Sequence, residues 1–175
     1  MNHLVAFRSV VITSTLFILL LLVAIQPVPE LKAVTTARDY VDVIFKGERK
    51  GANTVVDEME FYLPTGMVIE GELEFNTILE QNGQWFILFY NPQEKQYSRS
   101  LFKAAMRDRE KYILVHSFKT NNKFGYLHVM QLNENDYEIV VSVGKVKMTT
   151  KTTTNEMTNS VKQMSEIVHS VTFNN

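Results

Sequence analysis

Four glutamates set the first chemical question. Glu58 and Glu60 precede the run Pro64-Thr65-Gly66, and Glu70 and Glu72 follow it. Before the run they alternate with Met59, Phe61 and Leu63; after it, with Met67, Ile69 and Leu73. Apolar residues at every second position are the mark of a strand with one buried face. If Leu63 pairs with Met67 across a three-residue turn, Glu60 faces Glu70 and Glu58 faces Glu72. Like charges directly opposite destabilise a strand pair, so such a ladder has three readings. A solvated face guards a sheet edge against strand addition. A basic strand answers it, with Lys145, Lys147 and Lys151 as the candidates. A hard cation is the third, because carboxylate oxygens are calcium's ligands, although the spacing matches no dedicated calcium loop.

His116 and His128 are the second candidates. His116 shares a strand face with Leu114 and Phe118, and His128 with Phe124, Tyr126 and Met130. A hairpin across Asn121-Asn122 brings them close as a pH-sensitive pair, although a one-residue slip puts them on opposite faces. A zinc site needs further ligands than two histidines. Ser98, Ser100, Ser117 and Ser142 lack the glycines of a nucleophile elbow. Trp85, Phe86, Phe89, Tyr90 and Tyr97 read as core or as a ligand platform. No catalytic, cofactor-binding or metal-binding set emerges, and the chain reads as non-enzymatic.

These residues need a scaffold, and the periodicity outlines one. Ala37, Tyr40, Val41, Ile44 and Phe45 form one helical stripe opening near Thr35, with Gly47 to end it. Strand patterning runs through the glutamate hairpin and on to residues 75–80, the tight-turn signal Gln81-Asn82-Gly83, and QWFILFY at 84–90. That last run is apolar on both faces, as in a central strand. After Asn91-Pro92 comes a short helix over 101–109. Strands follow over 112–119, 124–132, 137–143 and 146–150. Met157, Val161, Met164, Ile167, Val168 and Val171 stripe a final helix capped near Thr154 or Asn155. Met157 and Met164 suit a core stripe first and a partner surface second. Strand runs covered by helices imply an α+β class, one twisted antiparallel sheet with the first and last helices packed on it.

The hairpin MEFYLPTGMVIEG, the segment NTILEQNGQWFILFYNP and the close YEIVVSVGKVKMTTK…VKQMSEIVHSV resemble small extracytoplasmic domains of Gram-positive bacteria with a PsbP-like or Mog1-like α/β/α sandwich. The resemblance spans most of 34–171 and lies in core pattern and turns, so it carries over no functional residue. It implies a binding, sensing or accessory module.

Composition narrows the function further. The chain has 175 residues, a net charge of −1 and no cysteine. One domain is implied, with no disulfide or thiolate metal site. Nothing in the linear sequence marks a nucleic-acid footprint or a polybasic lipid-binding cluster. Residues 9–25, SVVITSTLFILLLLVAI, carry no charge. A helix of that length covers about 25 Å, against ~30 Å of hydrocarbon, and 4–7 extend it. The reading is a short cytoplasmic tail at 1–8, a transmembrane signal-anchor (or signal peptide) at 9–26, a stiff Pro27-Val28-Pro29 linker over 27–34, and one extracytoplasmic domain over 35–175. Leu at −3 spoils cleavage after Ala24 or Ala33, which favours the anchor. The expected role is a single-pass, non-catalytic domain acting outside the cytoplasm on another envelope or membrane protein. The alternative is a small-molecule or ion-binding envelope sensor. Fractionation with N-terminal sequencing separates anchor from signal: membrane-bound protein is expected to begin at Met1 or Asn2, and a mature start near Val34 in the soluble fraction defeats the anchor.

Overall fold

The computed structural model describes residues 28–95, 97–120 and 123–174. Its first helix, α1, covers Glu30–Lys46. Ala33, Ala37, Val41 and Phe45 recur every fourth residue and are buried along one stripe. The helix starts five residues earlier than the apolar stripe suggests, so most of the expected linker over 27–34 is helical. The reason is at the N-terminus. Pro29 precedes the first turn, where its missing N–H costs nothing, and its carbonyl accepts from Ala33 N at 3.0 Å. Tyr137 hydroxyl donates to the Glu30 carboxylate at 2.7 Å. Val28 N donates to Asn155 Oδ1 at 2.9 Å, fastening the start of α1 to the far end of the sequence.

The expectation of one sheet is corrected: the chain forms two antiparallel sheets. The small one has β1 (Thr54–Val56), β2 (Met59–Phe61) and β10 (Thr172–Phe173), in the order β1-β2-β10. Strands β1 and β2 turn tightly at Asp57-Glu58, with Asp57 at φ +49°. Beyond Phe61 the backbone stops pairing with strands. Tyr62 N donates to Ser170 Oγ at 2.8 Å and Leu63 N to Asn53 Oδ1 at 2.7 Å. Pro64–Met67 is therefore a turn between sheets, closed by Met67 N on Pro64 O at 3.1 Å.

The large sheet has seven strands in the order β3-β4-β5-β9-β8-β7-β6. These are β3 (Val68–Leu73), β4 (Asn76–Gln81), β5 (Gln84–Tyr90), β6 (Tyr112–Thr120), β7 (Lys123–Gln131), β8 (Tyr137–Val143) and β9 (Val146–Thr152). Glu74 and Phe75 form an unforeseen turn between β3 and β4, with Glu74 at φ +25°. Asn82 and Gly83 have φ +53° and +81°, the conformation a two-residue hairpin demands. Helix α2 (Ser100–Arg107) and a short 3₁₀ turn (Arg109–Lys111) lead into β6, and α3 (Thr154–Ser170) follows β9.

Helices α1 and α3 cover the inner face of the large sheet, on Phe86, Leu88, Leu127, Val129, Ile139, Val141 and Met148. All six apolar residues of the expected final stripe are buried. Helix α2 lies on the other face, where Leu101 and Phe102 pack on Phe124, Tyr126 and Val140. No helix among the described residues is long and apolar enough to cross a membrane. The N-terminal transmembrane helix is thus not part of the described fold, and residues 9–25, on which that expectation rests, lie outside the described residues.

One backbone position governs the β6–β7 packing. A Cβ built on Gly125 would collide with the Phe118 ring and reach within 2.9 Å of the Ser142 carbonyl. Phe118 in turn stacks on Phe45 of α1, ring centroids 4.4 Å apart. Gly125→Ala is expected to cost about 1–3 kcal/mol through overpacking, read as a lowered Tm. Phe118→Leu in the same chain should restore part of that loss; an unchanged Tm for Gly125→Ala would show that the ring moves aside freely.

Candidate functional site

The structure disperses the acidic ladder. Glu60 lies on β2, the middle strand of the small sheet, opposite Val55 on one side and Thr172 on the other. Glu58 is in the β1–β2 turn and exposed. Glu70 and Glu72 belong to β3, an edge strand of the other sheet, with an irregularity in register at Glu70. Glu60 therefore does not face Glu70, nor Glu58 Glu72. Alternation identified the strands, but their pairing was decided by Tyr62 and Leu63 giving their N–H groups to Ser170 and Asn53. Charged residues and a bulge on β3 are what an edge strand uses to discourage further pairing.

The proposed basic partners take other roles. Lys145 Nζ lies 3.6 Å from the Phe173 ring centroid and Lys147 Nζ 5.4 Å from that of Phe89, both within cation–π range. Lys151 Nζ is 2.8 Å from the Asp136 carboxylate, and this contact holds the Asp136 carboxyl below its ordinary range. Among the described residues no ion pair joins these lysines to the four glutamates, and no group of three His, Asp or Glu side chains is placed to hold a metal.

The histidines are separated too. In the β6–β7 register Val115 faces His128 and His116 faces Leu127, so the rings lie on opposite faces and form no pair. His116 Nε2 is 2.8 Å from Asp42 Oδ1 of α1, a clasp between helix and sheet edge. His128 is buried on the outer face and stacks on Tyr112 at 4.4 Å. Its Nδ1 has no hydrogen-bond partner. Burial, with help from the charge of Lys147, pushes its pKa down to about 4.

The same outer face holds the principal candidate surface. Opposed residues of an antiparallel pair share a face, and three rows follow from the register. Val68, Glu80 and Trp85 form one; Gly71, Ile78 and Ile87 the next; Leu73, Asn76 and Phe89 the third. Helix α2 covers only the β7–β8 half of this face. Over β3–β5, Trp85 is 56% exposed, Ile87 46%, Val68 45% and Leu73 64%. The expectation of a strand covered on both sides is thus half met: β5 is interior to the sheet, yet one of its faces is open. QWFILFY shows strand apolarity but not which neighbours arrive to cover it.

A groove of about 520 Å³ adjoins Trp85, between the β4–β5 turn, the end of β9 and the first half of α3. Amide side chains share its wall with Asp136, Lys151 and Glu156. Gln84 Nε2 donates to Thr150 Oγ1 at 3.0 Å and Ser160 Oγ at 2.9 Å. Gln163 donates to Gln81 Oε1, and Gln81 Nε2 to Thr65 O at 3.0 Å. Glu156, Asn159 and Gln163 reach it from one stripe of α3. Their spacing of i, i+3 and i+7 is legible in the sequence as a polar stripe beside the apolar one.

No family model matches the chain, and no curated protein matches it. The functional reading therefore stands on this geometry.

His128 makes the acid response of the fold predictable. Its folded pKa is below the ordinary histidine value, so the unfolded chain takes up a proton that the folded one refuses. The associated stability is complete above pH 6.5 and is lost as the pH falls towards 4. His128→Phe keeps the stack on Tyr112 and is expected to flatten the decline of Tm over that window. An unchanged slope would assign the acid sensitivity elsewhere.

Proposed function

We propose that the protein is a non-catalytic binding domain that works outside the cytoplasm, at the cell membrane, on another envelope or membrane protein. The open half of the outer sheet face supports this reading most directly. Trp85, Ile87, Val68 and Leu73 present exposed apolar side chains on a rigid seven-stranded sheet, with Glu80 between Val68 and Trp85, Asn76 between Leu73 and Phe89, and Lys147 beyond Phe89. An exposed tryptophan among apolar neighbours and interspersed polar groups is the kind of anchor in which protein interfaces concentrate their affinity. Covering Trp85 alone would remove on the order of 100 Å² from water, roughly 2–3 kcal/mol. The uncharged run at 9–25 and the fastening of Val28 to Asn155 support a location close to a membrane.

A second reading, a small-molecule or ion-binding envelope sensor, is favoured by the amide-lined groove beside Trp85. Planar amides, one exposed aromatic ring and charged groups of both signs suit a neutral polar ligand better than a lone ion.

A photo-crosslinking residue at position 87 in living cells tests the first reading. It is expected to trap a membrane-fraction protein, whereas the same residue at position 162, on the exposed side of α3, traps none. Ile87→Asp should abolish capture by a crosslinker at position 73 with Tm unchanged. Equal capture at 87 and 162, or none at 87, overturns the interface. Survival of capture in Gln163→Ala separates it from the groove.

A further inference from the structure

At the C-terminal ends of α1 and α3, positions far apart in sequence enclose a second cavity of about 530 Å³. Lys46 reaches it from the last turn of α1, Arg49 from the following loop, Lys119 and Lys123 from the β6–β7 hairpin, and His169 from the last turn of α3. Phe45 makes the floor, its ring stacked on Phe118 at 4.4 Å and tilted against the His169 ring at 4.8 Å. No acidic side chain among the described residues lines the cavity. Among the described residues the ion pairs involve Lys50, Lys111, Lys151, Arg38 and His116, and none uses Lys46, Arg49, Lys119 or Lys123. Lys50 turns away to Glu166 at 2.9 Å, leaving that carboxylate engaged outside the cluster.

Four cations around one concavity repel one another, and at Lys123 that repulsion adds to the effect of burial. Burial and the neighbouring Arg49 hold the Lys123 ammonium below its ordinary pKa. Burial, Lys123 and Arg49 do the same for His169, which is therefore neutral near pH 7 and retains a ring N–H to donate. The negative end of the α1 dipole offsets part of the repulsion from Lys46. It does not reach the hairpin, where Lys119 is. A guanidinium fork, point-charge ammonium groups and a neutral N–H donor together match a phosphate oxygen set, the fork in bidentate fashion.

We propose that this cavity is a binding site for a phosphate-bearing ligand of two or more negative charges. The phosphate can belong to a soluble or polymeric anion or to a lipid headgroup. Both helices begin near Val28 and Asn155, and 17 residues of α1 place the cavity about 25 Å along the helix axis from that end. On the membrane-anchored reading proposed above, an anion free of the bilayer meets it there without the domain having to tilt.

The test uses the full-length chain in a non-ionic detergent, with pyrophosphate, inorganic phosphate and citrate as probes at matched ionic strength. Pyrophosphate is expected to bind saturably by calorimetry and to raise Tm. Arg49→Gln with Lys123→Gln should weaken it at least tenfold, while Tm without ligand holds or rises because repulsion is relieved. A purely structural role predicts the opposite change in Tm. Lys119→Gln, exposed and outside the core, gives the same direction if the double variant fails to fold, and Lys162→Gln, about 10 Å back along α3 from His169 and outside the cavity lining, should change nothing. Vesicles of phosphatidylcholine with and without phosphatidylglycerol form the second arm. A gain from phosphatidylglycerol that the Arg49 and Lys123 changes remove, with no pyrophosphate binding, assigns the phosphate to a lipid and keeps the site. Absence of both, an equal loss in Lys162→Gln, or citrate binding as tightly as pyrophosphate overturns the proposal. None of these variants touches the face around Ile87, so failure here leaves the protein-docking reading standing.

Discussion

The structure depends on an absent atom. With no Cβ on Gly125, the Phe118 ring lies against β7 and meets Phe45 of α1 face to face. Phe45 also touches His169 at the end of α3. One contact series thus ties the β6–β7 hairpin to the C-terminal ends of both inner helices. Close packing leaves little room to relocate a ring of that size, so the notch sets how near the helices come to the sheet. The basic cavity is a consequence of the same approach, since its floor is Phe45 and its walls are the termini that the stack holds together.

The two faces of the large sheet have different roles. The inner face is sealed by α1 and α3, whose ends are fastened by Val28 on Asn155, Glu30 on Tyr137 and Asp42 on His116. The outer face is closed by α2 only over β7 and β8. A sheet seven strands wide is too broad for one eight-residue helix, about 12 Å long. The remaining apolar rows over β3–β5 are where a partner gains most from covering surface, and the amide groove lies at the margin of the same region. Docking and ligand capture are therefore concentrated away from the helix-covered core.

Much of the secondary structure was legible from period alone. The stripes of the first and last helices, the Asn82-Gly83 turn, and the strands from β4 to β9 follow from spacing and turn chemistry. The failures have a common cause. The β3–β4 turn at Glu74-Phe75 lacks glycine or asparagine, and the β1–β2 turn rests on Asp57 alone. Without those breaks, residues 55–75 read as one long hairpin, and the acidic ladder followed from it. The histidine pair failed for a different reason: adjacent strands leave the register to the loop, and a shift of one residue changes the face.

By itself, the sequence determined an α+β chain without cysteine, the residues that alternate or recur to make each element, the uncharged run at 9–25, and the lack of any nucleophile-elbow or metal-spacing motif. Those properties are local, set by period and side-chain chemistry within a few residues. Tertiary structure alone decided that there are two sheets, that β5 pairs with β9, that half of one face stays open, and that Lys46, Arg49, Lys119, Lys123 and His169 converge. A net charge of −1 concealed that convergence because charge sums over the chain while a binding site sums over a few ångströms. Pairing across more than a hundred residues obeys packing and hydrogen-bond satisfaction, which no local pattern records.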